Sequence, residues 1–300
     1  MSELEDKIIQ LKKQKNALIL AHFYQTLDIQ NIADHVGDSF ELAKYAQKAT
    51  QAVIVLCGVT FMAESAKILN PDKTVLLPVP DAGCPMADMV TPEDVKALKE
   101  QYPDAAVMCY INSSAAVKAE CDICCTSSSA VKIAKVLPQK QIIFVPDQNL
   151  GAYVASQVPE KEFILFHGFC PTHHRVSVED VMCAKAAYPD AMVLIHPECT
   201  TAVLRQADYI GSTSGIIKQV EQSDQKAFII GTELGVAERL RQLYPEKQIH
   251  LLTDKLICPN MKKTHLRDVF SSLENNVYEI KLSQNEMEGA KKSLERMINV

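Results

Sequence analysis

Long apolar runs are missing from this sequence, and none approaches the roughly 18 residues that a helical membrane span needs. A transmembrane helix is therefore not expected. A basic stripe is missing too: lysines come in scattered pairs such as Lys12-Lys13 and Lys262-Lys263, and the formal net charge is −6. That balance argues against a nucleic-acid partner. The first residues, MSELEDKIIQLKKQKNALIL, carry acidic groups and a helical apolar pattern at Leu4, Ile8, Ile9 and Leu11, not the basic-then-apolar layout of a signal peptide. The cytoplasm is the expected compartment, and a disulfide framework is not expected there from the ten cysteines. Most of them should be small buried apolar residues, with metal binding the main exception. CDICC, at 121–125, has Cys-x-x-Cys spacing but no second pair elsewhere to complete a zinc site.

The chain does have regularly spaced short β-rich runs: NALILAHF, AVIVLC, TVLLP, AAVMCYI, QIIFVP, FILFH, AMVLIH, AFIIG and QIHLL. Nearly continuous in apolar residues, they read as nine buried parallel strands. Helical patterns such as PEDVKALKEQY, VEDVMCAKAAY and VAERLRQLY separate them, so the class is α/β with right-handed crossovers.

An internal repeat divides the chain into three. Three segments, beginning LAHFYQ, MCYINS and LIHPEC, each run strand, polar end, short helix, then a Ser/Thr/Asp cluster opening another helix. His22, Tyr110 and His196 fall in one column, 88 and 86 residues apart; Ser39, Ser127 and Ser212 fall in another, 88 and 85 apart. The third strand of each repeat leads to Cys-Pro, placing Cys84, Cys170 and Cys258 in equivalent positions 86 and 88 apart. Tyr-Pro-Asp recurs at Tyr102 and Tyr188 near the boundaries, whereas Tyr-Pro at Tyr244 follows an earlier helix of its repeat. The expected architecture is three homologous three-layer αβα domains, 16–102, 103–188 and 189–275, in pseudo-threefold arrangement around a central active site. An N-terminal helical cap (1–15) and a C-terminal helical segment (276–300) lie outside the repeats.

Loops leaving the carboxyl ends of parallel strands carry ligand-binding groups, and the repeated columns lie in or just beyond such loops. Three converging thiolates are one short of a structural zinc site but can hold an iron–sulfur cube by three of its four irons, leaving one iron open as a Lewis acid. A Cys-Pro after a strand is otherwise an ordinary turn with a buried thiol; equivalence in three repeats is what favours ligation. The serines sit where N-caps belong, so three helix N-termini aimed at one centre would make three anion sites. His196 and Glu198 leave a strand end together and suit general acid–base work. Glu233, in GTELG, is a weaker candidate of the same kind, while His174 and Arg175 read as supporting or surface groups.

LAHFYQ, GDS, AGCPMADM, CYINSSAAVKA, CTSS, GFCPTH, HPEC, GSTSGI, GTELG and CPNMKKT, in order from about Leu18 to Thr264, together resemble the quinolinate synthase family. The resemblance implies three α/β domains around a central [4Fe-4S] cluster, and condensation of iminoaspartate with dihydroxyacetone phosphate to quinolinate, phosphate and water in de novo NAD biosynthesis. Cys84, Cys170 and Cys258 would then ligate the cluster. His22, Ser39, Tyr110, Asn112, Ser127, His173, His196, Glu198, Ser212 and Thr213 would bind substrate, with Glu198, Tyr24, His22 and His196 catalytic. Where some relatives have three cysteines two apart, this chain has only Cys258 followed by PNMKKT, so a disulfide switch is not expected there. Two carboxylates and one phosphate on the substrates would match three helix N-termini. Transient contact with an aspartate-oxidising enzyme is expected on chemical grounds. Another three-cysteine hydro-lyase, or a non-catalytic iron–sulfur sensor, remains the alternative.

Overall fold

The computed structural model describes residues 2–300. Its strands form three parallel four-stranded sheets. The first holds β1 (Ala17–His22), β2 (His35–Gly37), β3 (Val53–Cys57) and β4 (Thr74–Leu76) in the order β2-β1-β3-β4. The second holds β5 (Ala106–Tyr110), β6 (Ile123–Cys125), β7 (Gln141–Val145) and β8 (Glu162–Leu165) in the order β6-β5-β7-β8. The third holds β9 (Met192–Ile195), β10 (Tyr209–Ile210), β11 (Ala227–Gly231) and β12 (Gln248–Leu251) in the order β10-β9-β11-β12. Helices connect successive strands, giving three αβα units of the same topology.

Each sheet has four strands, not the three expected, because β2, β6 and β10 are only three, three and two residues long. No apolar run announces so short a segment. What holds each of them is an aspartate at its start, present in all three repeats. The Asp34 carboxylate accepts from Ile19 N at 2.8 Å, Asp122 from Val107 N at 2.8 Å and Asp208 from Val193 N at 2.8 Å. Each aspartate also donates its own N–H back to the same residue's carbonyl. A side chain thereby extends the ladder where the edge strand has too few residues to do so.

Side chains alternate between the faces of the long strands. Leu18, Leu20, Ile54, Leu56 and Val75 face a core shared with the second unit. Ile19, Val55 and Leu76 face the other way, toward Ile8 of helix Glu3–Gln14 and Val269 and Leu273 of helix Leu266–Asn275. Although it falls within 189–275, Leu266–Asn275 thus packs on the first sheet. The chain then covers that sheet's β4 edge, with Leu77 N donating to Tyr278 O and Ile280 N to Val75 O. Helix Gln284–Ile298 closes the second unit, burying Ala290, Leu294 and Met297 against helix Ala115–Ala119 and β6. No described helix is long and apolar enough to cross a membrane.

Tyr102, Tyr188 and Tyr244 each end a helix immediately before a proline, outside the helical region, as proline's restriction on the preceding residue favours. Tyr244 lies between β11 and β12, the third and fourth strands of its unit, so it pairs by position with Asn70 and Val158, which end their helices in the same conformation.

Removing the Asp208 carboxylate leaves the Val193 N–H buried without that acceptor. Asp208→Ala is expected to destabilise the fold by about 1–3 kcal/mol. Urea unfolding measures this, and Asp208→Asn, which keeps an acceptor oxygen, should lose less.

Candidate functional site

A cavity of about 180 Å³ lies at the carboxyl ends of the strands, and all three units line it. Each unit contributes the loop after its first strand: His22 and Tyr24, Tyr110 and Asn112, and His196 and Glu198. Each also contributes the loop after its fourth strand, carrying Cys84, Cys170 or Cys258. Ser39, Ser127 and Thr213 reach it from the starts of the helices that follow the edge strands, and His173 from the short helix Pro171–His174. Ser212 is not part of the lining.

The capping pattern differs from the serine column. Asp38, not Ser39, caps helix Ser39–Lys48, its carboxylate accepting from Phe40 N and Glu41 N at 3.0 Å each. Ser127 precedes the start of helix Ala130–Val136, whose cap position is Ser129. Only Ser212 caps as expected, accepting from Gly215 N at 3.1 Å. An acid already occupies the first helix start, and the second helix has only seven residues. The three helix starts are therefore not equivalently capped. An offset of one residue at Ser39 and two at Ser127 separates these hydroxyls from the cap positions.

Glu198, fully buried, is the centre of the polar network. The Tyr110 phenol donates to its Oε1 at 2.7 Å, and His173 Nδ1 lies 2.8 Å from its Oε2. Burial works to raise the carboxyl, but the His196 and His173 rings and the two hydrogen bonds outweigh it and hold Glu198 well below the usual carboxylate range. On its other side, His173 Nε2 lies 3.0 Å from the Thr232 hydroxyl. The Tyr24 hydroxyl is 2.8 Å from Thr232 Oγ1 and 3.2 Å from Thr213 Oγ1. A continuous chain thus runs Thr213–Tyr24–Thr232–His173–Glu198–Tyr110, drawing on all three units. Thr232 completes it without lining the cavity, and no spacing pattern marked that residue in advance.

His22 and His196, equivalent in the repeat, are held alike. His22 Nδ1 accepts from Tyr24 N at 3.1 Å and His196 Nδ1 from Glu198 N at 3.3 Å. A backbone N–H can only donate, so each ring carries its proton on Nε2. Burial is the main cause that lowers His22 to about 3 and His196 to about 4, with Glu198 opposing. Both are neutral Nε2–H donors near neutral pH. Burial raises the Tyr24 and Tyr110 phenols well above their ordinary value, with Glu198 adding to it, so both keep their protons.

Cys84, Cys170 and Cys258 are free, partly buried thiols. Burial pushes Cys84 up to about 12 and raises Cys170 and Cys258 as well. Charge on Cys84 would repel charge on both of the others. Without a cation three such thiols stay protonated; a metal centre deprotonates them. The donor set suits a thiolate-bound cluster, and no core thiol shares its position: Cys109, Cys124 and Cys125 of the second sheet are fully buried and do not line the cavity. The CDICC cysteines are core residues. Cys170 Sγ, His173 Nδ1 and a Glu198 oxygen also lie within 4.8 Å of one another, but His173 Nδ1 already donates to Glu198.

Glu233 does not line the cavity. It caps helix Leu234–Leu243 beneath the Cys258 loop, its Oε1 accepting from Cys258 N at 3.1 Å. Arg175, read as a surface group, borders the cavity, while its Nη2 donates to the Lys255 and Ile257 carbonyls. His174 stays outside, against Asn149, which also donates to the Glu198 carbonyl at 3.0 Å.

The family described as quinolinate synthetase A protein matches residues 6–299. The chain belongs to this family. It is 53% identical over 300 residues to the quinolinate synthase of Caldicellulosiruptor saccharolyticus, covering 100% of this chain and 99% of that one. It is 52% identical over 295 residues to the quinolinate synthase of Alkaliphilus metalliredigens, covering 98% and 97%. With quinolinate synthase 2 of Methanosarcina acetivorans it shares 48% identity over 302 residues, covering 99% and 97%. The quinolinate synthetase A assignment agrees with the motifs in this cavity.

The low His22 and His196 values fix the sign of a pH effect. Between about pH 6.5 and those values the unfolded chain binds protons that the folded one does not, so stability rises with pH across that window. Thermal unfolding between about pH 7 and about pH 4.5 should show that acid limb, and His196→Asn should flatten it. An unchanged limb would mean that His196 is charged in the folded protein.

Proposed function

We propose that the protein is a quinolinate synthase that condenses iminoaspartate with dihydroxyacetone phosphate, releasing phosphate and water, in de novo NAD biosynthesis. The observation that carries this reading is the meeting, in one cavity, of three repeat-equivalent cysteines with an ionised, doubly hydrogen-bonded glutamate. Family membership and full-length identity to proteins bearing that name support it. The reading includes three αβα units, 16–102, 103–188 and 189–275, in pseudo-threefold arrangement about the cavity. It is supported by their common sheet order and by lining residues from each.

Cys84, Cys170 and Cys258 would hold a [4Fe-4S] cluster, which supplies one open Lewis-acidic iron when bound. Glu198 is the base for the carbon-bound proton, kept ionised by Tyr110 and His173. The Nε2–H groups of His22 and His196 donate to substrate oxygens, and the neutral rings add no positive charge. Ser39, Ser127 and Thr213 present hydroxyls, and the Asn112 carboxamide oxygen is buried with no partner among the described residues. Carboxylates and phosphate would therefore be bound mainly by hydroxyl and imidazole donors, with Arg175 at the border of the cavity. Tyr24, kept protonated, can pass a proton along the Thr232–His173 chain. Water exclusion matters because iminoaspartate hydrolyses, which is also why direct transfer from an aspartate-oxidising enzyme belongs to this reading.

Iron and acid-labile sulfide in anaerobically purified protein test the cluster. About four of each per chain are expected in wild type and in Cys125→Ala, with loss in Cys84→Ala, Cys170→Ala and Cys258→Ala. Full content in any of those three would break the ligand assignment. With cluster present, quinolinate and phosphate should form together from the two substrates. Glu198→Gln should keep the cluster and lower kcat by about 10²- to 10⁴-fold, the range for loss of a general base.

A further inference from the structure

The carboxylate of Glu233 is fully buried and makes four close contacts with three donors. Cys258 N and Lys262 Nζ reach Oε1 at 3.1 and 3.0 Å, and Gly235 N and Lys262 Nζ reach Oε2 at 2.7 and 3.0 Å. Lys262 Nζ also donates to the Tyr24 carbonyl at 2.7 Å. One ion pair therefore touches both the backbone of a cavity cysteine and the backbone of the cavity tyrosine, although they belong to different units. The units are close here: a Cβ on Gly235 would lie 2.4 Å from Phe23 O. The same loop is tied to the first unit by Asn260 Nδ2 donating to Gly83 O at 2.8 Å and Gln25 Nε2 to Met261 O at 2.7 Å.

Comparison across the repeats shows that this pair is particular to the third unit. The equivalent cap positions are Val59 and Asp147. Val59 has no side-chain acceptor. Asp147 lies against the Cys170 backbone N–H, yet its Oδ2 has no hydrogen-bond partner, and no lysine is paired with it. Only the cysteine whose loop must cross onto the first unit has a fully satisfied ion pair behind it.

We propose that Glu233 and Lys262 are positioning residues that hold Cys258 and Tyr24 in fixed relation, so that the metal ligand and the phenol keep the spacing the reaction needs. The proposal rests on the three-cysteine cluster reading. Its geometry is that of a group oriented by a partner outside the reacting atoms, and loss of such partners typically lowers metal affinity by about 10–100-fold. Neither side chain lines the cavity; both act through Cys258 N and Tyr24 O.

The test compares anaerobically purified holoprotein of wild type, Lys262→Met and the double variant Glu233→Gln/Lys262→Met. The single variant leaves a buried carboxylate without its cation and can fail through folding alone; the double variant removes both charges. Iron per chain, iron release to an excess ferrous chelator, and kcat and KM are measured. The double variant is expected to assemble wild-type iron, release it about tenfold faster and lose about tenfold in kcat with KM within about twofold. Wild-type release and kcat in the double variant would overturn the positioning role, whatever its melting temperature. A change confined to KM would overturn it too. Wild-type protein without iron would overturn the cluster reading and, with it, this proposal; iron-replete wild type beside an unchanged double variant would overturn the proposal alone.

Discussion

A carboxylate buried away from water stays ionised only if other groups donate to it, and Glu198 imposes that condition on the whole cavity. Its two donors come from elsewhere in the fold: Tyr110 from the end of β5, and His173 from the helix beyond β8. The other ring nitrogen of His173 meets the Thr232 hydroxyl, which in turn meets Tyr24. The hydrogen-bonded network therefore extends from one buried charge across all three units. It also explains why His22 and His196 stay neutral: burial disfavours their charge, and their Nδ1 lone pairs are taken by backbone N–H groups.

Parallel strands make that convergence possible. All carboxyl ends of a parallel sheet lie on one edge, so two loops from each unit reach one cavity while the sheets themselves remain apolar. The short edge strands are the weak points of the scheme, and Asp34, Asp122 and Asp208 compensate by bonding across to the neighbouring strand. Those edge strands matter to the site because the helices that present Ser39, Ser127 and Thr213 follow directly from them.

Much of this was legible before any coordinates. Nine of the strands, the three repeats and the columns of His/Tyr and Cys-Pro residues could be read directly, since buried strands are continuous apolar runs and repeats preserve spacing. The three edge strands could not, because two or three residues carry no periodic signal. The capping serines were misjudged because Asp38 lies one place before Ser39, and local propensity does not separate neighbouring polar residues at a helix start. Glu233 was read as a possible acid or base, although its partners are backbone N–H groups and Lys262.

Composition and order by themselves determined the α/β class and the threefold repetition, since these depend on local patterns and on equal spacing along the chain. Only the tertiary structure decided which groups touch. Thr232 bridges Tyr24 and His173, Asp147 lies behind Cys170, and Lys262 joins Glu233 to Tyr24 across two units. Such contacts join residues up to 238 positions apart, and no local rule specifies them. They follow from close packing, which brings distant loops within hydrogen-bond range, where a buried polar group gains by finding a partner.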